Sequence, residues 1–320
     1  MSSDLPSVCV SVPVPRDHLA PLDTIATLVM PDSGVAAASR DWILAHIDDC
    51  TAVISQGELR VDEELLDAAP GLRMVANAAM GIDNLDLPAL ARRGIAASNT
   101  PDAFAESTAD HTLALILDVT RRVSETDRFV RTGAWEKRGM EALRWEGTIL
   151  GGKTLGLVGY GRIAQLVERR AAAFGMEVIH TRSRPSDDPG YRPFDALLAA
   201  SDIVVALVPL TEATHHLIDR EALATMKPGA FFLNLARGKV MDEAAVVESL
   251  QSGHLAGAAF DVFEEEPRVR NELLAMDNVV LTPHIGGATR EQRKRGRLEA
   301  AANVACFLRG EPLLHPVCVP

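Results

Sequence analysis

The stretch from Lys153 to Met176 constrains the fold more than any other: Lys-Thr-Leu-Gly-Leu-Val-Gly-Tyr-Gly-Arg-Ile-Ala, then Gln-Leu-Val-Glu-Arg-Arg-Ala-Ala-Ala-Phe-Gly-Met. Thr154 to Val158 is an apolar run long enough for a buried strand and too short for a helix. A glycine turn, Gly159-Tyr160-Gly161, follows, and Arg162 to Phe174 then reads as a helix with Gly175 as its C-cap residue. Strand, glycine turn and helix form the context of a dinucleotide-binding fingerprint, G-x-G-x-x-A. Gly159 allows the tight turn, Gly161 lets backbone N–H groups approach a pyrophosphate, and Ala164 keeps the helix close to the strand. The helix N-terminus offers orphan donors and partial positive charge to phosphates.

A chain of 320 residues has room for two domains. Its 47% hydrophobic and 24% charged content is that of a globular protein. A formal net charge of −12 argues against nucleic acid or an anionic membrane as the main partner. Cys9, Cys50, Cys306 and Cys318 show neither C-x-x-C spacing nor a disulfide framework, which points to a reducing compartment. Met1 to Pro6 lacks a basic start, and Pro6, Pro13 and Pro15 interrupt the first apolar segment, unlike a secretory leader. No run approaches the roughly 20 apolar residues of a membrane span. The expectation is a cytoplasmic protein.

Residues 1–98 alternate short strands (Val8–Val14, Thr27–Val29, Ala52–Ser55, Arg73–Ala76, Gly94–Ser98) with helices (Ser39–Ile47, Asp62–Ala68, Leu87–Arg93), which predicts a parallel sheet covered on both faces. A helix from about Ala103 to Arg122 follows. Residues 123–150 are polar, with Trp135 and Trp145 among charges, and read as a covered surface such as a subunit interface. The alternation restarts at Thr154. Strands Thr154–Val158, Glu177–Thr181, Ile203–Leu207, Ala230–Asn234, Gly257–Asp261 and Val279–Leu281, with helices including Glu221–Thr225 and Glu243–Gln251, describe a doubly wound nucleotide-binding domain. A last helix, about Arg290 to Leu308, and a tail closed by Pro316 and Pro320 are expected to fold back on the first domain. The predicted organisation is α/β, with a Rossmann dinucleotide-binding domain over 99–288 and a flavodoxin-like substrate domain over 1–98 completed by 289–320.

In such sheets ligands lie beyond the carboxyl ends of the strands. Three residue types stand there. Arg237 follows one strand in Asn234-Leu-Ala-Arg-Gly238. Asp261-Val-Phe-Glu-Glu-Glu-Pro267 follows the next, and His284 follows the last in Leu281-Thr-Pro-His-Ile-Gly-Gly287. A guanidinium fork binds a carboxylate and a carbonyl oxygen together. A histidine moves a proton near neutral pH, and an adjacent carboxylate favours the protonated ring. Arg, Glu and His beside a nicotinamide suffice to reduce a 2-oxo acid. His215, His216, Lys239 and the basic run Arg290–Arg297 read as surface residues, and no cluster has metal-ligand spacing.

These motifs, together with Asn77-Ala-Ala-Met-Gly-Ile-Asp-Asn and Asn99-Thr-Pro-Asp-Ala-Phe-Ala-Glu-Ser-Thr-Ala-Asp, resemble those of the NAD(P)-dependent D-2-hydroxyacid dehydrogenases over most of the chain. The resemblance implies that Arg237 holds the substrate carboxylate and oxo oxygen, that His284 is the acid/base, and that Glu266 orients it. It implies Met80 and Gly81 N–H groups at the substrate carboxylate and Asp261 at the nicotinamide carboxamide. The expected cofactor contacts are Gly159, Tyr160, Gly161, Arg162 and Ile163 in the turn, Val208, Pro209 and Thr214 after the third strand, Leu235 and Ala236 after the fourth, and Gly286.

The second strand closes at Arg182, where an NAD enzyme would place an acidic residue against the ribose hydroxyls. Arg182 and Arg184, with Ser183 between them, suit a 2′-phosphate, so NADP is expected ahead of NAD. The branch most resembled is the glyoxylate/hydroxypyruvate reductases, acting as a homodimer on a small 2-oxo acid. A cofactor-sensing corepressor and a phosphoglycerate-type dehydrogenase share the motifs. The short segment after the last helix predicts neither an interaction tail nor a regulatory domain. Formate dehydrogenases of this fold carry glutamine where Glu266 stands.

Overall fold

The computed structural model describes residues 5–141 and 144–318; expectations resting on Met1 to Asp4 or on Pro320 lie outside them. The chain forms two compact units, Met1–Phe104 with Ala288–Pro320, and Ala105–Gly287. The first boundary falls at Phe104, beyond the expected 98. The reason is bonding: the Thr100 N–H donates to Ala79 O and the Asn99 N–H to His315 O, which keeps this connection in the first unit.

In the first unit, strands β1 (Ser7–Val10), β2 (Thr27–Val29), β3 (Cys50–Ser55), β4 (Met74–Asn77) and β5 (Ala96–Ser98) form one sheet in the order β2-β1-β3-β4-β5. All pairs are parallel, and the order is that of flavodoxin-like folds. Helices α1 (Arg40–His46), α2 (Glu63–Ala68) and α3 (Leu87–Arg92) begin at Ser39, Asp62 and Asp86, whose side chains accept the Trp42, Leu65 and Ala89 N–H groups. Strand residues divide by parity between two cores. Val8, Val10, Ala52, Ile54, Met74 and Ala76 face one, while Cys9, Val53 and Val75 face the other. Strand β1 is shorter than the expected Val8–Val14. Ser11 still donates to Ile54 O, but Pro13 and Pro15 cannot continue a ladder.

The second unit carries β6 (Thr154–Val158), β7 (Glu177–Thr181), β8 (Ile203–Ala206), β9 (Ala230–Asn234), β10 (Leu255–Phe260) and β11 (Val279–Leu281), ordered β11-β10-β9-β8-β6-β7, all parallel. A single-residue bridge from Tyr191 to His180 extends it beyond β7. Chain order reverses between β6 and β8, so the carboxyl ends of these two strands mark the switch point of a doubly wound sheet. Helices are α4 (Ala105–Arg121), α5 (Val123–Arg131), α6 (Ala134–Arg138), α7 (Arg162–Ala173), α8 (Phe194–Ala200), α9 (Arg220–Thr225), α10 (Glu243–Gln251) and α11 (Asn271–Leu274). Helices α5 and α6 occupy the stretch read only as polar surface. They are short and broken by Gly133 and Gly139, both at positive φ, so no long apolar period announces them.

The last helix, α12 (Arg290–Leu308), returns to the first unit and lays Ala300, Ala301, Val304 and Ala305 into the core on one face of its sheet. Asn303, fully buried, ties down the tail: its Oδ1 accepts the Leu314 and His315 N–H groups at 3.0 and 3.2 Å. Pro316 then bridges Ser98, and Val317 donates to Ala97 O. The Asn303→Ala variant strands these donors and should lose about 2 kcal/mol of stability, read as a lower urea midpoint.

Candidate active site

One register row governs the catalytic edge. Val158, Ala206, Asn234, Phe260 and Leu281 are paired across the second sheet. Gly161, Arg237 and His284 each lie three residues past this row, on the connections that follow alternate strands, β6, β9 and β11, at the carboxyl edge.

At the switch point Gly159 has φ +95°, and its N–H donates to Thr181 O. A Cβ there would lie 2.8 Å from Val208 Cγ1 and 3.1 Å from Leu207 O, so only glycine fits. A Cβ on Gly161 would meet nothing within 4 Å, and no side chain caps the first turn of α7. Open space before an uncapped helix N-terminus is what a pyrophosphate requires, and the residues present fit that group. Ala164 is fully buried in the core beneath. The Thr214 hydroxyl, expected at the cofactor, donates to Pro209 O at 2.6 Å and accepts the Thr211 N–H at 2.7 Å, so it serves its own turn. Arg182 lies just past β7 with its guanidinium 4.7 Å from the Tyr160 ring centre. Ser183 and Arg184 are exposed, and their side chains make no hydrogen bond or ion pair among the described residues.

Asn234 shapes the turn that presents Arg237. Fully buried, it accepts the Ala236 N–H at 3.0 Å and donates to Arg237 O at 2.9 Å. Leu235 and Ala236 are themselves buried. The next residue fixes the spacing between connections: a Cβ on Gly238 would sit 1.8 Å from Phe263 C and 2.3 Å from Glu264 N. The Arg237 turn therefore rests directly on the backbone that leads to Glu266.

Glu266 Oε2 lies 2.9 Å from His284 Nδ1, and Oε1 accepts the Phe263 N–H at 3.0 Å. Burial pushes this carboxyl up. The His284 ring, the Phe263 N–H and the Arg237 charge outweigh it and hold the group below the ordinary carboxylate range. The His284 side chain is 47% exposed. With Nδ1 held by a carboxylate, Nε2 is the ring atom left for chemistry.

Asp261 is buried, yet ionised. Thr282 Oγ1 and the Ile285 N–H donate to Oδ1 at 2.6 and 2.8 Å, and the Gly286 N–H to Oδ2 at 2.7 Å. Burial raises its pKa, but these donors and His111 bring it below the usual value. Sequence reasoning missed His111, whose Nε2 lies 3.1 Å from Thr282 Oγ1 and 3.4 Å from Asp261 Oδ1. It also missed Glu243 and Arg270. Glu243 accepts the Glu264 N–H at 2.7 Å, Arg270 pairs with both Glu243 and Glu264, and His216 Nε2 lies 2.7 Å from Glu264 Oε1. His216 is thus a partner of the connection that carries Glu266. Among the described residues no group of three or more His, Cys, Asp or Glu is placed to hold a metal.

In the first unit Met80 and Gly81 are held through their carbonyls. The Asn99 amide donates to Met80 O at 2.9 Å, and the buried Asn77 amide to Gly81 O at 2.8 Å.

Residues 113–286 match the family described as D-isomer specific 2-hydroxyacid dehydrogenase, NAD binding domain. This chain belongs to that family. It is 44% identical over 283 residues to the glyoxylate reductase of Pyrococcus furiosus, covering 85% of this chain and 83% of that protein. The glyoxylate reductase of Thermofilum pendens is 39% identical over 96% of this chain and 92% of its own. The crystal structure of an NADPH-dependent glyoxylate/hydroxypyruvate reductase from Sinorhizobium meliloti, in complex with NADP and malonate, superposes with a TM-score of 0.85 at 31% identity, covering 98% and 97%. The D-2-hydroxyacid dehydrogenase is thus an oxidoreductase that uses a nicotinamide dinucleotide on small 2-oxo acids. No helix among its described residues is long and apolar enough to cross a membrane.

The lowered pKa of Asp261 has a definite sign. Its contribution to stability is complete above the unfolded carboxylate value of about 4 and is lost as pH falls through the lower folded value. Asp261→Asn should therefore cost roughly 2–3 kcal/mol at neutral pH. In chemical denaturation across pH, the gap between parent and variant should narrow below about pH 4.

Proposed function

We propose that this dehydrogenase reduces a small 2-oxo acid, such as glyoxylate or hydroxypyruvate, to the D-2-hydroxy acid, with NADPH preferred over NADH. The observation that carries this reading is His284 Nδ1 at 2.9 Å from Glu266 Oε2, on a carboxylate that also feels the Arg237 charge. The nicotinamide, when bound, supplies the hydride. Arg237 takes the substrate carboxylate and the oxo oxygen in its planar fork, and the Met80 and Gly81 N–H groups complete the carboxylate site. His284 gives its proton from Nε2 to the oxo oxygen as negative charge develops there, and Glu266 holds the ring in that orientation. The unit Met1–Phe104 with Ala288–Pro320 acts as the substrate domain and Ala105–Gly287 as the dinucleotide domain, with Asp261 at the carboxamide. The names of the Pyrococcus and Thermofilum relatives support glyoxylate, and the Sinorhizobium enzyme supports NADPH. Arg182, where an NAD enzyme would carry an acid, supports it independently.

The working form is a pair of identical chains. Val123, Val130, Trp135, Met140 and Ile149 are large apolar side chains left exposed within one short segment, Met140 at 85%. Trp145 is instead covered by its own chain, under Arg144 at 4.7 Å and Arg122 at 5.3 Å. Light scattering should give twice 34.4 kDa, and a single-chain mass would remove the pairing.

The reaction is tested with purified protein, NADPH and a panel of glyoxylate, hydroxypyruvate, pyruvate and phenylpyruvate. Oxidation of NADPH is expected, fastest with the first two; no oxidation against any of them would overturn the reading. In His284→Asn, kcat should fall by about two to four orders of magnitude while NADPH binding, followed by fluorescence, stays nearly intact.

A further inference from the structure

Arg182 is the terminal member of a stack. Its guanidinium covers the Tyr160 ring, whose other neighbour is the His180 imidazole, with ring centres 3.5 Å apart and planes within 9°. Tyr160 OH donates to Glu168, which pins the ring at its far end. His180 is 1% exposed, and neither ring nitrogen has a hydrogen-bond partner. Burial pushes its pKa down against the pull of Asp188, whose Oδ2 lies 3.8 Å from Nε2. The planar cation is thereby held on an aromatic platform, where its exposed charge can meet an anion.

That anion is already present. Asp188 Oδ2 lies 3.7 Å from Arg182 Nη2, and Oδ1 accepts the Gly190 N–H at 2.9 Å. The Asp188 N–H donates to Ser186 Oγ at 3.2 Å, so the loop aims its carboxylate back at the stack. A Cβ on Gly190 would come within 3.1 Å of His180 Nδ1, which leaves the loop little freedom to carry a side chain there.

We infer that Asp188 is a specificity-determining residue, an internal counter-ion that competes with the cofactor 2′-phosphate for Arg182 and so limits the preference for NADPH over NADH. This rests on the NADPH-preferring reading of Arg182. A 2′-phosphate carries close to two negative charges at neutral pH and has to turn Asp188 aside before the guanidinium can bind it bidentately. A cofactor without that phosphate leaves the pair undisturbed. An exposed pair of this kind is worth up to about 1 kcal/mol, which corresponds to a change of roughly two- to five-fold in affinity.

The test uses calorimetric titration with adenosine 2′,5′-bisphosphate and with 5′-ADP, alongside KM values for NADPH and NADH. In Asp188→Asn the bisphosphate should bind about two- to five-fold more tightly and the NADPH KM should fall by the same factor. Binding of 5′-ADP and the NADH KM should stay level. Unchanged bisphosphate binding, or an equal change for both nucleotides, overturns the inference. So does a raised NADH KM, which would mean that Asp188 serves the ribose hydroxyls. Arg182→Gln separates the two readings. If it leaves bisphosphate binding unchanged, the assignment of Arg182 fails. If it weakens that binding while Asp188→Asn changes nothing, only the counter-ion is wrong.

Discussion

Parallel pairing with a common terminal row is the constraint on which this dehydrogenase depends. Parallel strands need crossover connections, so consecutive strands all enter at one edge of the sheet and leave at the other. Because Val158, Ala206, Asn234, Phe260 and Leu281 are in register, residues a fixed few positions later emerge side by side. Far-separated segments of sequence are brought together without any of them choosing its neighbour. The cores on the two faces hold that register, since a slip of one residue would exchange Phe231 and Leu233 with Ala230 and Phe232 between cores.

Two carboxylates on one connection differ through their surroundings. Asp261, with 4% of its side chain exposed, has fixed donors on both oxygens. Those donors belong to the 282–286 turn, and the His284 N–H also donates to Asp261 O at 2.9 Å. His284 itself has φ +53°, a conformation that costs a side-chain-bearing residue on the order of 1 kcal/mol. The bonds from the turn to Asp261 offset that strain and set the ring's direction. Glu266, 35% exposed, has one oxygen on a backbone donor and the other on the ring. One carboxylate shapes the turn, and the other meets the imidazole that the turn presents.

Much of this was legible in the sequence because strands buried on both faces read as bounded apolar runs. Thr154–Val158, Glu177–Thr181, Ala230–Asn234 and Val279–Leu281 carry the same limits in the sequence reading and in the structure. The helices α5, α6 and α8 were not read out, since short amphipathic segments between glycines and prolines carry too little periodicity. At the site, the residues that follow strands could be counted, but their spacing to one another could not. That Gly238 lies against Phe263 is a tertiary fact, as glycine in Ala-Arg-Gly reads equally well as a turn residue. The pairing of Arg182 with Asp188 was hidden for a similar reason. They lie six positions apart, and only the return of Tyr191 beside His180 folds that loop back.

The charges of the three side chains proposed to carry the reaction also bear on what the site accepts. Arg237 contributes one positive charge and Glu266, held ionised, one negative. In the proposed reduction a proton on His284 brings the sum over these three side chains to one positive charge, which a single carboxylate balances. In that proposal a 2-oxo monoacid enters as the neutralising partner, and the charge that develops on its oxygen is met by the proton of His284. A second carboxylate close to the reacting carbon would leave a negative charge that these three side chains do not match. In the proposed reduction this favours acids whose remaining substituent is small and uncharged.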